Sequence, residues 1–222
     1  MHKCKDTNEY YHEQKQYLSS TFIKTITKKS LLHALEQKQV QSNHFTVGSA
    51  FHSYVLERDM FQHEFFVAPK VNKRTKAGKE QWEEFSQKAH EENKQIINEQ
   101  DFDMIKKMCQ NIFHDETCNK LLSNGEPEVS FYDKHFLIDT WVKVRPDYYV
   151  EDKYVVDLKS CQDASPRAFK YDILKYGWHI QAAFYMDVCE VNEFYFIASE
   201  KNHPHACQAY KLSDDLINQG RQ

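Results

Sequence analysis

Two short stretches hold the side chains best suited to chemistry. Val144-Arg145-Pro146-Asp147 precedes Tyr154-Val155-Val156-Asp157-Leu158-Lys159, with a turn-like Glu151-Asp152 between them. Asp147 falls late in one predicted strand and Asp157 near the end of the next, so a hairpin would bring both carboxylates to one end of a sheet. Clustered carboxylates form an oxygen-donor site for Mg²⁺ or Mn²⁺. Lys159, two residues after Asp157, shares its strand face because side chains alternate with period two. A bound cation polarises a phosphoryl oxygen and lowers the pKa of its water, a second stabilises the leaving oxygen, and an ammonium offsets transition-state charge. The reaction class this set predicts is phosphodiester hydrolysis. Taken alone, D-x-K is more often an ion pair at a solvated strand edge, and Pro-Asp is often only a turn.

Further residues add to the set. Gly48-Ser49-Ala50-Phe51-His52 places a histidine on a predicted helix, and imidazole is a reasonable ligand for a divalent metal. By itself His52 reads more readily as one packed histidine among twelve. Gln181 and Tyr185, at i and i+4, share one helical face, which ordinary packing also explains. The stretch Lys70 to Lys79 carries Lys73, Arg74, Lys76 and Lys79 and reads as a basic loop between two helices. Such a loop is either a solvated charge run or a contact for a nucleic-acid backbone, and we favour the second. Arg167 is a further phosphate candidate, or the partner of an acidic neighbour.

These residues need elements to position them. Before about residue 125 the pattern is helical: Ser20 and Ser30 can each cap a short helix, and longer ones are predicted over Val47–Glu57, Lys79–Ile97 and Asp101–Leu122. From Glu128 the texture is β, with strands over Glu128–Phe136, Ile138–Val150 and Lys153–Cys161 forming a meander. A helix interrupted near Gly177 follows, from Pro166 to about Cys189, then strands over Val191–Ser199 and Ala206–Leu212. The order predicts an α/β (α+β) fold, a central mixed sheet covered by helices, within one domain spanning 1–222.

Composition bounds the function more weakly. The chain has 222 residues, with 29 Lys and Arg against 33 Asp and Glu, a net charge of −4. A mean charge of this sign disfavours nucleic acid, but it averages over a carboxylate site and the Lys70 to Lys79 cluster, and segregated charge matters more than the mean. The six cysteines include no CxxC pair, so no zinc ribbon or iron–sulfur cluster is suggested. Scattered thiols, a polar N-terminus and the lack of a long apolar run predict a cytoplasmic protein without a membrane span.

The ordered set G-x-x-x-H, P-D, D-x-K and Q-x-x-x-Y resembles the RecB-like branch of the PD-(D/E)xK nuclease superfamily, with Asp157 in place of the commoner Glu. Leu18-Ser19-Ser20, Gly48 to Glu57, Arg74 to Lys79, Asp163-Ala164-Ser165-Pro166, His179 to Tyr185 and Phe196 to Lys201 extend the resemblance to RecE-type exodeoxyribonuclease VIII nuclease domains, related to lambda exonuclease. The resemblance implies that His52, Asp147, Asp157 and the Leu158 carbonyl ligate metal. It implies that Lys159 is the catalytic lysine and that Gln181 and Tyr185 line the cleft. Glu128, on the first predicted strand, is either a supporting acid or a strand-edge charge. The implied activity is Mg²⁺-dependent digestion, with two ions per active site, of linear double-stranded DNA from the 5′ end. The 3′ tails left behind would pass to a RecT-type annealing protein. A ring-shaped homo-oligomer is implied too, and a chain starting this close to the nuclease region suggests a free-standing phage or prophage enzyme. The rival readings are a structure-specific endonuclease or nickase of the same superfamily, and an inert DNA-binding module that retains the fold.

Overall fold

Side chains that accept hydrogen bonds from the first turn set most helix starts here. The computed structural model describes residues 1–36, 43–135 and 139–222. Its first half runs β1 (His2–Cys4), α1 (Asn8–Glu13), α2 (Ser20–Lys28), α3 (Leu31–Leu35), α4 (Asn43–Leu56), α5 (Arg58–Glu64), β2 (Phe65–Val67), α6 (Lys76–Glu91), β3 (Gln95–Ile97), α7 (Glu99–His114) and α8 (Glu116–Leu121). The second half runs β4 (Glu126–Pro127), β5 (Ser130–His135), β6 (Thr140–Val144), β7 (Tyr148–Val150), β8 (Tyr154–Cys161), α9 (Pro166–Tyr176), α10 (Trp178–Cys189), β9 (Glu193–Glu200), β10 (Cys207–Lys211) and α11 (Asp214–Arg221). Thr7, Ser19, Ser30, Thr75, Asn98, Asp115 and Ser213 cap their helices by accepting a first-turn N–H.

A five-stranded sheet of order β10-β9-β8-β7-β4 is the centre of the fold. β8 and β9 are parallel and joined through α9 and α10, while the other neighbours in this sheet are antiparallel. The predicted mixed sheet under helices is therefore present. Alternation along β8 divides the core in two. Val156 and Leu158 face the layer of α4 and α7, beside Ile197, Phe51, Ile105 and Met108. Val155 faces the opposite layer of α9 and α10, beside Phe194, Phe196, Phe169 and Ala182. Leu158 and Ile197 are fully buried, each contributing about 2 kcal/mol of hydrophobic stabilisation.

Several sequence expectations are corrected. The three-strand meander is really four strands in two sheets: β5 and β6 pair with β1 in a separate three-stranded sheet, and only β7 and β8 join the central one. The chain changes sheets at Arg145-Pro146-Asp147, because Pro146 has no N–H for a ladder and restricts the residue before it. The predicted strand ends at Phe136 and Ile138 lie outside the described residues. Glu128 is not on a strand; it has φ 52° between β4 and β5, where its N–H bonds the Asp147 carbonyl at 3.1 Å. Ser19 rather than Ser20 caps α2, leaving Ser20 buried.

The helix expected to run to Ile97 instead ends at Glu91. Asn93 turns with φ 51°, and β3 then pairs in parallel with β2. Thr75 starts that helix at Lys76, so the basic stretch joins a strand to a helix, with Lys76 and Lys79 inside its first turns. The helix expected over Asp101–Leu122 is two, divided where Asp115 ends α7 and caps α8. Pro166 to Cys189 breaks as expected at Gly177, whose φ of 67° closes α9 and opens α10.

Candidate active site

The change of sheets at Pro146 frees Asp147 from any ladder. β7 and β8 are registered Tyr148 to Val156, so one residue further Asp147 stands across from Asp157. Asp147 Oδ2 accepts the Leu158 N–H at 2.6 Å and lies 3.2 Å from His52 Nδ1. Asp157 and Lys159 share the face of β8 that looks toward α10. The Lys159 ammonium touches Asp157 Oδ1, and Gln181 Nε2 of α10 donates to Asp157 Oδ2 at 2.5 Å. His52 arrives from α4, in the opposite helical layer. The two layers thus meet beside the middle of β8, where its ladder with β7 stops, and not at the strand end that the sequence suggests for Asp157.

Glu128 completes a second grouping. One ligand atom from each of His52, Glu128 and Asp147 lies within 4.8 Å of the other two. Arg145 Nε lies 3.1 Å from Glu128 Oε2, and Arg145 also donates to the Asp6 carbonyl at 2.9 Å. One imidazole nitrogen and several carboxylate oxygens suit Mg²⁺ or Mn²⁺ better than a soft cation. Glu128 and His52 are each about a quarter exposed, at 26% and 27%, so solvent reaches the cluster, whereas Asp157 at 2% is closed. Asp157 Oδ1 takes no aligned hydrogen bond, although the ammonium touches it, which leaves an acceptor to spare. The residues present fit a divalent cation held by His52, Glu128 and Asp147, with Asp157 adjoining.

The protonation states show how crowded this negative charge is. Burial and the neighbouring Asp147 push the Glu128 carboxyl up to about 8, against the opposing pull of His52 and Arg145. Burial works against a charged His52, but Asp147's charge and hydrogen bond, with Glu128, overcome it and raise the imidazole to about 9. Asp147 is held below the usual carboxylate range: burial opposes this, and His52, Lys159 and the Leu158 N–H outweigh it. Asp157 is raised by burial and by Asp147, with Lys159 pulling the other way. Without a cation, protons occupy the cluster; a divalent ion would take their place.

Two residues beyond those the sequence singles out belong to this region. Lys24 of α2 donates to Gln181 Oε1 at 3.1 Å, so Gln181 bridges an ammonium to Asp157. Burial, with the like charges of Lys159 and Lys28, lowers Lys24 to about 8. Its sequence signal is faint: it lies one turn beyond Ser20, the end of the Leu18-Ser19-Ser20 stretch. Arg145 stands out in sequence only as a neighbour of the Pro-Asp motif. Tyr185, one turn from Gln181, is buried, and burial raises its phenol well above the ordinary tyrosine value. Trp178 and Phe196 lie with ring centroids 5.2 and 5.6 Å from Lys159 Nζ, which restrains the ammonium by cation–π attraction.

The expected DNA contacts lie outside this cluster. Lys73 sits 2.9 Å from the Trp82 ring centroid. Arg74, Lys76 and Lys79 are exposed around the start of α6, and Arg167 is exposed at the start of α9.

A mixed sheet between helical layers, with Pro-Asp and Asp-x-Lys side by side where the ladder of β7 and β8 stops, defines a fold of the PD-(D/E)xK nuclease class. Within that class the chain belongs to the family described as PDDEXK-like domain of unknown function (DUF3799), whose model matches residues 19–222. No curated protein matches the chain in sequence. A solved structure of a protein assigned as an exonuclease, from Eubacterium rectale, is similar with a TM-score of 0.67 and 16% identity, covering 98% of this chain and 82% of that one. A phage-related exonuclease from Haemophilus somnus 129PT matches with a TM-score of 0.42 and 15% identity over 92% of this chain and 89% of its own. An alkaline exonuclease from Laribacter hongkongensis matches with a TM-score of 0.36 and 11% identity, over 97% and 87%. The first of these shows the shared fold. Among the described residues, no helix is long and apolar enough to cross a membrane.

Proposed function

We propose that this chain is a divalent-metal-dependent deoxyribonuclease that degrades linear double-stranded DNA from the 5′ end and leaves 3′ single-stranded tails for strand annealing. The observation that carries the proposal is the convergence of His52, Glu128 and Asp147 on one spot, beside the Asp157–Lys159 pair and Gln181. The first three and Asp157 would hold Mg²⁺ or Mn²⁺, in one or two sites. The cation would neutralise phosphate charge and acidify its water. Lys159, fixed over Trp178 and Phe196 against Asp157, places a positive charge where negative charge develops on the phosphate. Gln181 orients Asp157 through its amide N–H and ties Lys24 to the same place. Lys76, Lys79, Arg74 and Arg167 would neutralise the DNA backbone without reading bases. The RecE-type resemblance adds a ring-shaped homo-oligomer, a RecT-type annealing partner and a cytoplasmic, phage-related setting to the proposal.

Digestion of linear duplexes labelled at either end, alongside a covalently closed circle, tests it. The 5′ label should be released first, the circle should survive, and Lys159→Met should lose Mg²⁺-dependent release while remaining folded. Cutting of the circle would instead establish an endonuclease, early release of the 3′ label would reverse the polarity, and an active Lys159→Met would remove the assigned lysine.

A further inference from the structure

A second group of metal-ligating side chains lies where α8 meets β10. Asp115, Cys118 and Cys207 each present one ligand atom, all within 4.8 Å of one another. None of the three belongs to the carboxylate site. Cys118 is fully buried, while Asp115 and Cys207 are half-buried.

Both sides of the group are held in place. Asp115 Oδ1 caps α8 by accepting the Cys118 N–H at 2.8 Å, so one turn orients both the carboxylate and the thiol. Cys207 opens β10, registered against Ser199 of β9. The approach to it is pinned by Asn111 of α7, whose Nδ2 donates to the carbonyls of Pro204 at 3.1 Å and His205 at 2.7 Å. A buried thiol alone behaves as a small apolar group. A carboxylate fixed against two thiols is different, because its charge opposes formation of a thiolate unless a cation sits among them.

We propose that Asp115, Cys118 and Cys207 form a binding site for a borderline-soft divalent cation, zinc first among them, that clamps α8 onto β10. Two sulfurs exclude Mg²⁺ and Ca²⁺, which take oxygen donors. An iron–sulfur cluster takes four protein ligands, mostly thiolates, and this group offers two sulfurs and a carboxylate. Cys₂Asp with solvent in the fourth position is a tetrahedral zinc donor set. The two sulfurs are not joined in a disulfide. The site is independent of the nuclease proposal and would persist in an inactive chain.

Titration of Co²⁺ into reduced, chelator-stripped full-length protein tests the assignment. Sulfur-to-cobalt charge transfer arises only where thiolates bind, so the carboxylate site is silent in this readout. The expected result is a near-ultraviolet charge-transfer band that zinc abolishes, that Asp147→Asn retains and that Cys207→Ser loses. In the wild-type protein, zinc at a hundredfold excess over its dissociation constant should slow alkylation of Cys207 about 100-fold and leave Cys4 unaffected. Absence of the band from folded, reduced protein overturns the proposal. So does an undiminished band in Cys207→Ser, or alkylation of Cys207 at the same rate with and without zinc.

Discussion

The proton-loaded carboxylate cluster makes stability without metal fall as pH rises. Glu128 keeps its proton up to about pH 8 in the folded chain, against about 4.3 for a free glutamate. His52 keeps its proton to about pH 9, against about 6.5 unfolded. Between pH 6.5 and 8 the folded state therefore binds more protons than the unfolded state, and stability falls with increasing pH. Each group contributes at most about 1.4 kcal/mol per pH unit, an upper bound of about 4 kcal/mol for the two across this window. Their partial exposure and shared charge cut this to about 2 kcal/mol. For a chain of this length that is a fall in Tm of about 4–8 °C. Lys24, lowered to about 8, begins to lose its proton near the top of this window while the unfolded chain keeps one, and its opposite trend dominates only above about pH 8. The assay is thermal unfolding in EDTA at pH 6.5 and pH 8, repeated with Mn²⁺. Because protons and metal compete for the same ligands, Mn²⁺ should raise Tm more at pH 8 than at pH 6.5. Glu128→Gln should flatten the metal-free pH dependence. An equal Tm at both pH values in EDTA, or an unchanged slope in Glu128→Gln, would refute the reasoning.

Gly177→Ala should cost about 1–2 kcal/mol, because an L residue must take the left-handed φ of 67°. Its Cβ would also meet Lys28 Cε at 2.7 Å, disturbing the ammonium that bonds the Leu174 and Lys175 carbonyls. A chemical-denaturation midpoint equal to wild type would show that the hinge between α9 and α10 tolerates a side chain. Charge reversal at Lys76 and Lys79 should weaken duplex binding and reduce the slope of log K against log salt by about one for each phosphate no longer neutralised. Lys73 is left in place because it packs on Trp82. An unchanged salt slope, measured by fluorescence anisotropy, would remove this segment from the DNA-binding surface.

Much of the strand chemistry was legible because it is local. Asp157 and Lys159 share a face through simple alternation, and Asp147 stands across from Asp157 because a short turn joins their strands. The Gly177 interruption was readable too, since a glycine inside a helical pattern is an ordinary capping signal. The sheet change at Pro146 was harder to see: Ile138 to Val150 reads as one strand, and although Pro146 can interrupt its ladder locally, nothing local shows that β6 then joins β5 and β1 in a second sheet. The same split takes Glu128 off its predicted strand and sets it against Asp147.

What the sequence determined by itself was the kind of chemistry, the strand pair that carries it and the mixed sheet beneath. These rest on periodicities of two and 3.6 and on turn residues, which act over a few positions. Only the tertiary structure decided that His52 and Gln181 approach from opposite helical layers, that Lys24 reaches Gln181, that Glu128 comes within 4.8 Å of His52 and Asp147, and that Cys118 meets Cys207. Each of these meetings joins segments distant along the chain. They are set by how the two cores pack on either side of one sheet, and no local pattern encodes that packing.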